Sequence, residues 1–273
     1  MDKIPLPNKF ELHETGPNQA ELVIEPLFAG YGITIGNALR RVLLSSMPGG
    51  AVTYVKIQGV DHEFSTIDNV KEDVVDILLN FKQVNVKVHS EEPVRLTLSV
   101  SGKKEVTAGD IQATSDVEIA NPDLHLFTTT ADSAKIEAEI IVQRGRGYVP
   151  TESRQDEKKE IGMIAVDSVY TPITNVSMHV ENVRVGQVTN FEQVRLEIET
   201  DGTITPKGAV SLASQILVDH FGLLLETDLE PQTVRTDVVK EGGESEESFT
   251  GESEVEAPAP KKRGRPKKEE ESE

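Results

Sequence analysis

A chain of 273 residues with a formal net charge of −19 has room for one large domain or two modest ones, and its acidity repels nucleic acid at long range, so any DNA contact must be local. The absence of cysteine excludes disulfide staples, thiolate catalysis and Cys-based zinc sites. No basic segment followed by an apolar run opens the chain, and no uninterrupted apolar stretch approaches the roughly 18 residues of a membrane span, which together predict a soluble, cytoplasmic protein without membrane contact.

Taken in chain order, AELVIEPL (20–27) alternates as a half-buried strand does. ITIGNALRRVLLSSMPG (33–49) then reads as a helix. At 100° per residue Ile35, Ala38, Leu39, Val42, Leu43 and Ser46 share one arc, with Met47 at its edge, and this arc is the predicted core stripe. Leu44 and Asn37 lie roughly opposite, flanked by Arg40 and Arg41. Two readings of that outer face are open: a solvated surface, in which one exposed leucine is ordinary, or a protein interface, in which Arg beside a projecting aliphatic group is a common hot spot.

VTYVKIQGV (52–60) is a further strand. Ser65, with Asp68 three residues on, is a capping-box variant that predicts a helix over TIDNVKEDVVDILLNFK (66–82), where Ile67, Val70, Val74, Ile77, Leu78 and Phe81 share a face. Glu72 and Asp73 are expected on its solvated side. VNVKVH (84–89), VRLTLSV (94–100), AKIEAEIIVQ (134–143) and FEQVRLEIET (191–200) again alternate. Thr205 before Pro206 is an N-cap and first-turn pair opening PKGAVSLASQILVDHFGLLL (206–225). Apolar residues of that helix, Ile216, Leu217, Phe221 and Leu224 among them, cover more of its circumference than one sheet can, which predicts a partner helix from a second copy. Strands and helices that do not alternate regularly give an α+β class built on antiparallel sheet.

Composition changes after about residue 238. EGGESEESFTGESEVEAPAPKKRGRPKKEEESE holds only Phe249 and Val255 as core candidates, too few to offset the entropy of ordering it, so 233–273 is expected to be a disordered acidic linker. An autonomous enzyme is the weakest class. His13, His62, His89, His125, His179 and His220 are dispersed, without metal-ligand spacing, and His220 on the apolar stripe reads as a core or interface histidine. No catalytic residue, metal site or cofactor is expected.

EPLFAGYGITIGNALRRVLLSSMPGGAVTYVKIQGVDHEFSTIDNVKEDVVDILLNFK and VQRGRGYVP resemble the amino-terminal domain of the bacterial DNA-directed RNA polymerase alpha subunit family, over about residues 5–232. The resemblance implies a dimerisation domain from 1–50 and 177–232, interrupted at 51–176 by an inserted, mostly β domain. It implies a homodimer on which the beta and beta prime subunits assemble to form a nucleotidyltransferase whose catalytic magnesium another subunit holds. The face carrying Asn37, Arg40, Arg41 and Leu44 then corresponds to the beta-docking surface, and Lys82 to a position of beta prime contact. Arg144 and Arg146 in QRGRGY (143–148) are candidates for a large-subunit contact, although Gly145 and Gly147 need mean only a permissive turn.

Family members carry a small helical domain after the linker that binds upstream DNA and activators. Where the resemblance leads one to expect that domain, this sequence reads APAPKKRGRPKKEEE. KKRGRPKK (261–268) resembles an AT-hook, whose extended core would lie in a narrow A·T-rich minor groove, with Gly264 allowing close approach, Arg263 and Arg265 inserting, and Pro266 and Lys267 continuing the strand. A solvating polyampholyte is the plain reading of the same residues. On the hook alone, the alternative for the whole chain is a free-standing architectural DNA-binding protein.

Overall fold

The computed structural model describes residues 4–154 and 160–226. Among these, chain order runs β1 (Lys9–Gly16), β2 (Gln19–Leu27), α1 (Tyr31–Ser45), β3 (Pro48–Ile57), α2 (Val74–Lys82), β4 (Val86–Val88) and β5 (Val94–Ser101). There follow β6 (Glu105–Thr107), β7 (Val117–Ile119), β8 (His125–Thr128), β9 (Lys135–Arg146), β10 (Tyr148–Val149), β11 (Ile164–Ala165) and β12 (Ser168–Val169). Last come β13 (Ile173–Val185), β14 (Val188–Thr200) and α3 (Pro206–Glu226). The fold is α+β, mainly antiparallel sheet with three α-helices.

Two cores form. The first lies on a four-stranded antiparallel sheet in the order β1-β2-β14-β13. Gly186, at φ 62°, opens the two-residue turn between β13 and β14, a conformation that favours glycine. Alternate residues of β14, Val194, Leu196 and Ile198, are buried with Leu22, Ile24 and Leu27 of β2 beneath α1 and α3, as the period-2 pattern predicts. Thr205 caps α3, its hydroxyl accepting the Gly208 N–H at 3.2 Å. The second core lies on the sheet β5-β9-β3-β4-β7, with β11 also on β3. There Val74, Ile77 and Phe81 of α2 pack on Val55, Leu96, Leu98, Ile140 and Val142.

The junction between the cores is built on paired glycines. Gly49 and Gly145 face each other across β3 and β9, and buried Tyr170 lies over both. A Cβ on Gly49 would collide with the Tyr170 carbonyl, and one on Gly145 would come within 2.8 Å of its ring. Asn85 donates to the Asp201 carbonyl at 3.1 Å, tying the start of β4 to the end of β14. Arg154, also buried, gives its guanidinium to the Ser168 hydroxyl at 2.6 Å and to the carbonyls of Val149 and Thr53, and lies over the Tyr54 ring.

Two expected helices are shorter than their patterns. The first ends at Ser45, because Pro48, Gly49 and Gly50 already belong to β3. The second begins at Val74, not near Ser65: Asp73 is its N-cap, accepting the Asp76 N–H at 2.8 Å, and Asn69 sits at φ 62°, outside helical space. Ile67 and Val70 still reach the core, but from a loop. That loop is held by Glu72. Far from a solvated helix face, its carboxylate accepts the Thr128 N–H at 2.7 Å, the Thr128 hydroxyl at 3.0 Å and the His125 ring at 3.2 Å. Burial pushes the Glu72 carboxyl up, and these donors more than reverse it, leaving it below the ordinary range.

Two outcomes follow from these contacts. Gly49→Ala should cost about 3 kcal/mol, the upper end for overpacking, read as a lowered denaturant midpoint. Because the Glu72 carboxyl is depressed in the folded state, its contribution is present above the ordinary pKa of 4.5 and is lost as pH falls through the folded value. Glu72→Gln should therefore be about 1–3 kcal/mol less stable at neutral pH, and the gap from the parent should close in acid, measured by denaturation across pH.

Candidate functional site

The outer face of α1 is set by how its inner face is seated. Gly32, Gly36, Leu39 and Leu43, continued by Met47, are buried. A Cβ on Gly36 would collide with Met178 Sδ and approach Val194 Cγ2 to 2.9 Å, and one on Gly32 would lie 2.8 Å from Val180 Cγ1 and from Glu192 Oε2. The buried seam is thereby rotated roughly 70° from the expected stripe. Ile35, Ala38, Val42 and Ser46 are only half-buried. Hydropathy counts glycine as blank, whereas here its missing side chain is what lets the backbone touch the sheet.

The rotation re-sorts the predicted residues. Arg41 stands opposite the seam, exposed; Arg40 is also exposed, and neither guanidinium has an ion pair or side-chain hydrogen bond among the described residues. Leu44 projects at 38% exposure on one flank. Asn37, expected on the outermost face, is half-buried on that same flank. At the start of the helix the rings of Phe28 and Tyr31, both exposed, meet edge to face at 6.2 Å.

Lys82, the last residue of α2, is held on two sides. Its ammonium lies 3.2 Å from Asp167 and 5.7 Å from the centre of the exposed Tyr148 ring. The Thr151 N–H holds the Asp167 carboxyl below its usual range against an opposing effect of burial, helped by Lys82 and Tyr148. Partial desolvation, reinforced by Asp167, pushes the Tyr148 hydroxyl up. Beside this cluster an open groove of about 560 Å³ is lined by Asp61, Phe64, Leu78, Leu79, Lys82 and Met163, with Phe64 and Leu79 largely exposed.

Arg144 and Arg146 lie on the face of β9 opposite the one that presents Gly145 to Tyr170. Both are exposed, without ion pairs among the described residues, and line a shallow cleft with Pro48 and Glu91. Of the two glycines in QRGRGY, Gly147 at φ 66° is the permissive turn, while Gly145 is required by the tyrosine. On α3, Ala209 and Ala213 are buried and Ile216 and Leu217 half-buried, whereas Phe221 and Leu224 are each 58% exposed. His220 is exposed, its ring against the Ile216 carbonyl at 2.7 Å. By length and composition alone Pro206–Leu225, at a mean hydropathy of 1.4, is long enough to cross a bilayer, which counting uninterrupted apolar runs had not predicted. Its Ala209 and Ala213 edge packs on the first core.

The hook residues Arg263, Gly264, Arg265, Pro266 and Lys267, and the linker before them, lie outside the described residues. Among the described residues no group of three or more His, Asp or Glu side chains is disposed to hold a metal ion. Sequence reading missed Tyr170, Asp167 and Glu192, which come from strands and loops without a motif. The four-residue spacing of Gly32 and Gly36 was the available sign of a close-packed helix face.

Residues 55–171 match the family described as the RNA polymerase Rpb3/RpoA insert domain. Over 240 residues the chain is 45% identical to the DNA-directed RNA polymerase subunit alpha of Oceanobacillus iheyensis, an alignment covering 87% of this chain and 76% of the relative. With a helix-bearing four-stranded sheet interrupted by a second β core at those residues, the chain belongs to the DNA-directed RNA polymerase alpha subunit family.

Proposed function

We propose that this chain is the assembly platform of its polymerase: it homodimerises, docks the beta subunit through α1 and the beta prime subunit near Lys82, and contributes no catalytic group or cofactor to RNA synthesis. In this reading residues 1–50 and 177–232 are the dimerisation domain, 51–176 the insert, and 233–273 a tether. The observation that carries it is the outer face of α1, where Arg40 and Arg41 have no ion pair or side-chain hydrogen bond among the described residues and Leu44 is exposed, while the inner face is locked to the sheet. Exposed guanidinium groups beside an aliphatic side chain suit a protein interface more than a solvated surface on a chain whose charge is −19. Arg144 and Arg146 offer a second cationic contact.

Dimerisation is assigned to the second half of α3, where Val218, Phe221, Leu223, Leu224 and Leu225 are all exposed in the single chain. Each large apolar side chain buried there would contribute roughly 1.5–3 kcal/mol. The tail is assigned a weak minor-groove contact with upstream DNA, since Lys261, Lys262, Arg263, Arg265, Lys267 and Lys268 are concentrated among acidic neighbours. The free-standing architectural reading is not favoured, because it leaves the 45% identity over 240 residues to a polymerase subunit unexplained.

Co-expression with the large subunits tests the platform. Arg41→Ala should leave a folded dimer and reduce recovered beta at least tenfold, equivalent to the 1–2 kcal/mol or more of an interface hot spot; undiminished beta would refute the docking role. Phe221→Asp should give folded monomers by sedimentation. Polymerase truncated after residue 240 should bind A·T-rich upstream DNA more weakly than the full-length form, with a shallower dependence on salt, and equal affinities across salt would remove the tail from the account.

A further inference from the structure

The N-terminus of α1 has no cap of its own. Gly30, in the N-cap position at φ 86°, has no side chain, and no acidic residue stands in the first turn. A helix start leaves backbone N–H groups without helical partners. Here two of them are taken by a side chain from 160 residues away: Glu192 accepts the Gly30 N–H at 2.8 Å with Oε1 and the Gly32 N–H at 2.9 Å with Oε2.

Both sides of this contact are shaped for it. On β14 the register with β2 shifts between Glu192 and Val194, the kind of bulge that re-aims a side chain. On α1, Gly32 leaves the carboxylate its place, since a Cβ there would stand 2.8 Å from Glu192 Oε2 and 2.8 Å from Val180 Cγ1 and push the carboxylate aside. The carboxylate also places negative charge at the positive end of the helix.

We propose that Glu192 is a positioning residue for large-subunit docking, a clamp that sets the rotation and height of α1 on its sheet. The inference rests on the reading of α1 as the docking helix. Arg41 lies about 15 Å along the axis from the clamp. Between the clamp and Leu39 the buried seam is two glycines, flanked by half-buried Ile35, so buried Leu39 and Leu43 fix one end of the helix and Glu192 fixes the other. A rotation of about 20° moves a side chain at a radius of about 6 Å by about 2 Å, enough to misplace a guanidinium.

The test uses the full-length chain co-expressed with the beta subunit, comparing Glu192→Ala, Glu192→Gln and Arg41→Ala. Amide exchange over residues 30–35, the oligomeric state and beta recovery are measured for each. Glu192→Ala should accelerate exchange at these amides about tenfold while exchange in β14 and the oligomeric state stay as in the parent, and should lower beta recovery about fivefold. Glu192→Gln, which keeps the shape and one amide acceptor, should fall between; it carries the test with the same criteria should the alanine variant not fold. Unchanged exchange, or faster exchange with undiminished beta, overturns the clamp. Full beta recovery by Arg41→Ala would instead overturn the docking role of α1, leaving the exchange result to report the clamp alone.

Discussion

Because Gly32 and Gly36 carry no Cβ, α1 rests on Met178, Val180 and Val194 at a separation that any larger residue would forbid. Everything presented on the far side of the helix takes its direction from that contact. A helix seated through interdigitating leucines is held in rotation by its own knobs. A bare backbone seated on a sheet lacks those knobs, and here the end farthest from Leu43 is fixed by hydrogen bonds to a carboxylate. The arginines thus owe their placement to residues that carry neither charge nor bulk.

The same economy recurs where the two cores meet. Gly49 and Gly145 form a smooth patch across two strands, and one tyrosine fills it. Its ring occupies the space over Gly145 and its carbonyl the space over Gly49, an arrangement that ties strand pairing to tertiary packing. Nearby, Arg154 spends its guanidinium on carbonyls and a hydroxyl. Lys82 is treated differently. Its charge is shared between Asp167 and a ring face, and it stays partly open to solvent, so it can be handed to a partner without stranding a buried charge.

Much of this was legible beforehand. The alternation in 191–200 placed β14 and its buried face, because a half-buried strand imposes a period of two on its residues. Thr205 and Pro206 marked the start of α3, since capping is local chemistry. The helical period placed the arginines of α1 on its outer side, where both are exposed. What escaped were contacts between distant segments: the rotation of α1, decided by glycines that hydropathy does not weigh; the true start of α2, decided by Thr128 and His125 reaching Glu72; and Glu192, whose role depends on a strand partner far away in sequence. Ser65 and Asp68 matched a capping pattern, yet the Ser65 hydroxyl donates to the His62 carbonyl and the helix waits for Asp73.

The pairing of β2 with β14 sets Leu27 beside Glu192 and Ile24 beside Val194. The first core therefore cannot close before β14, which ends at Thr200, has been made, whereas the strands of the second, from Pro48 to Ala165, precede it in the chain. The glycine seam of α1 is covered only by strands that follow the second core in sequence, and that core, once formed, shortens the loop that the pairing of β2 with β14 must close.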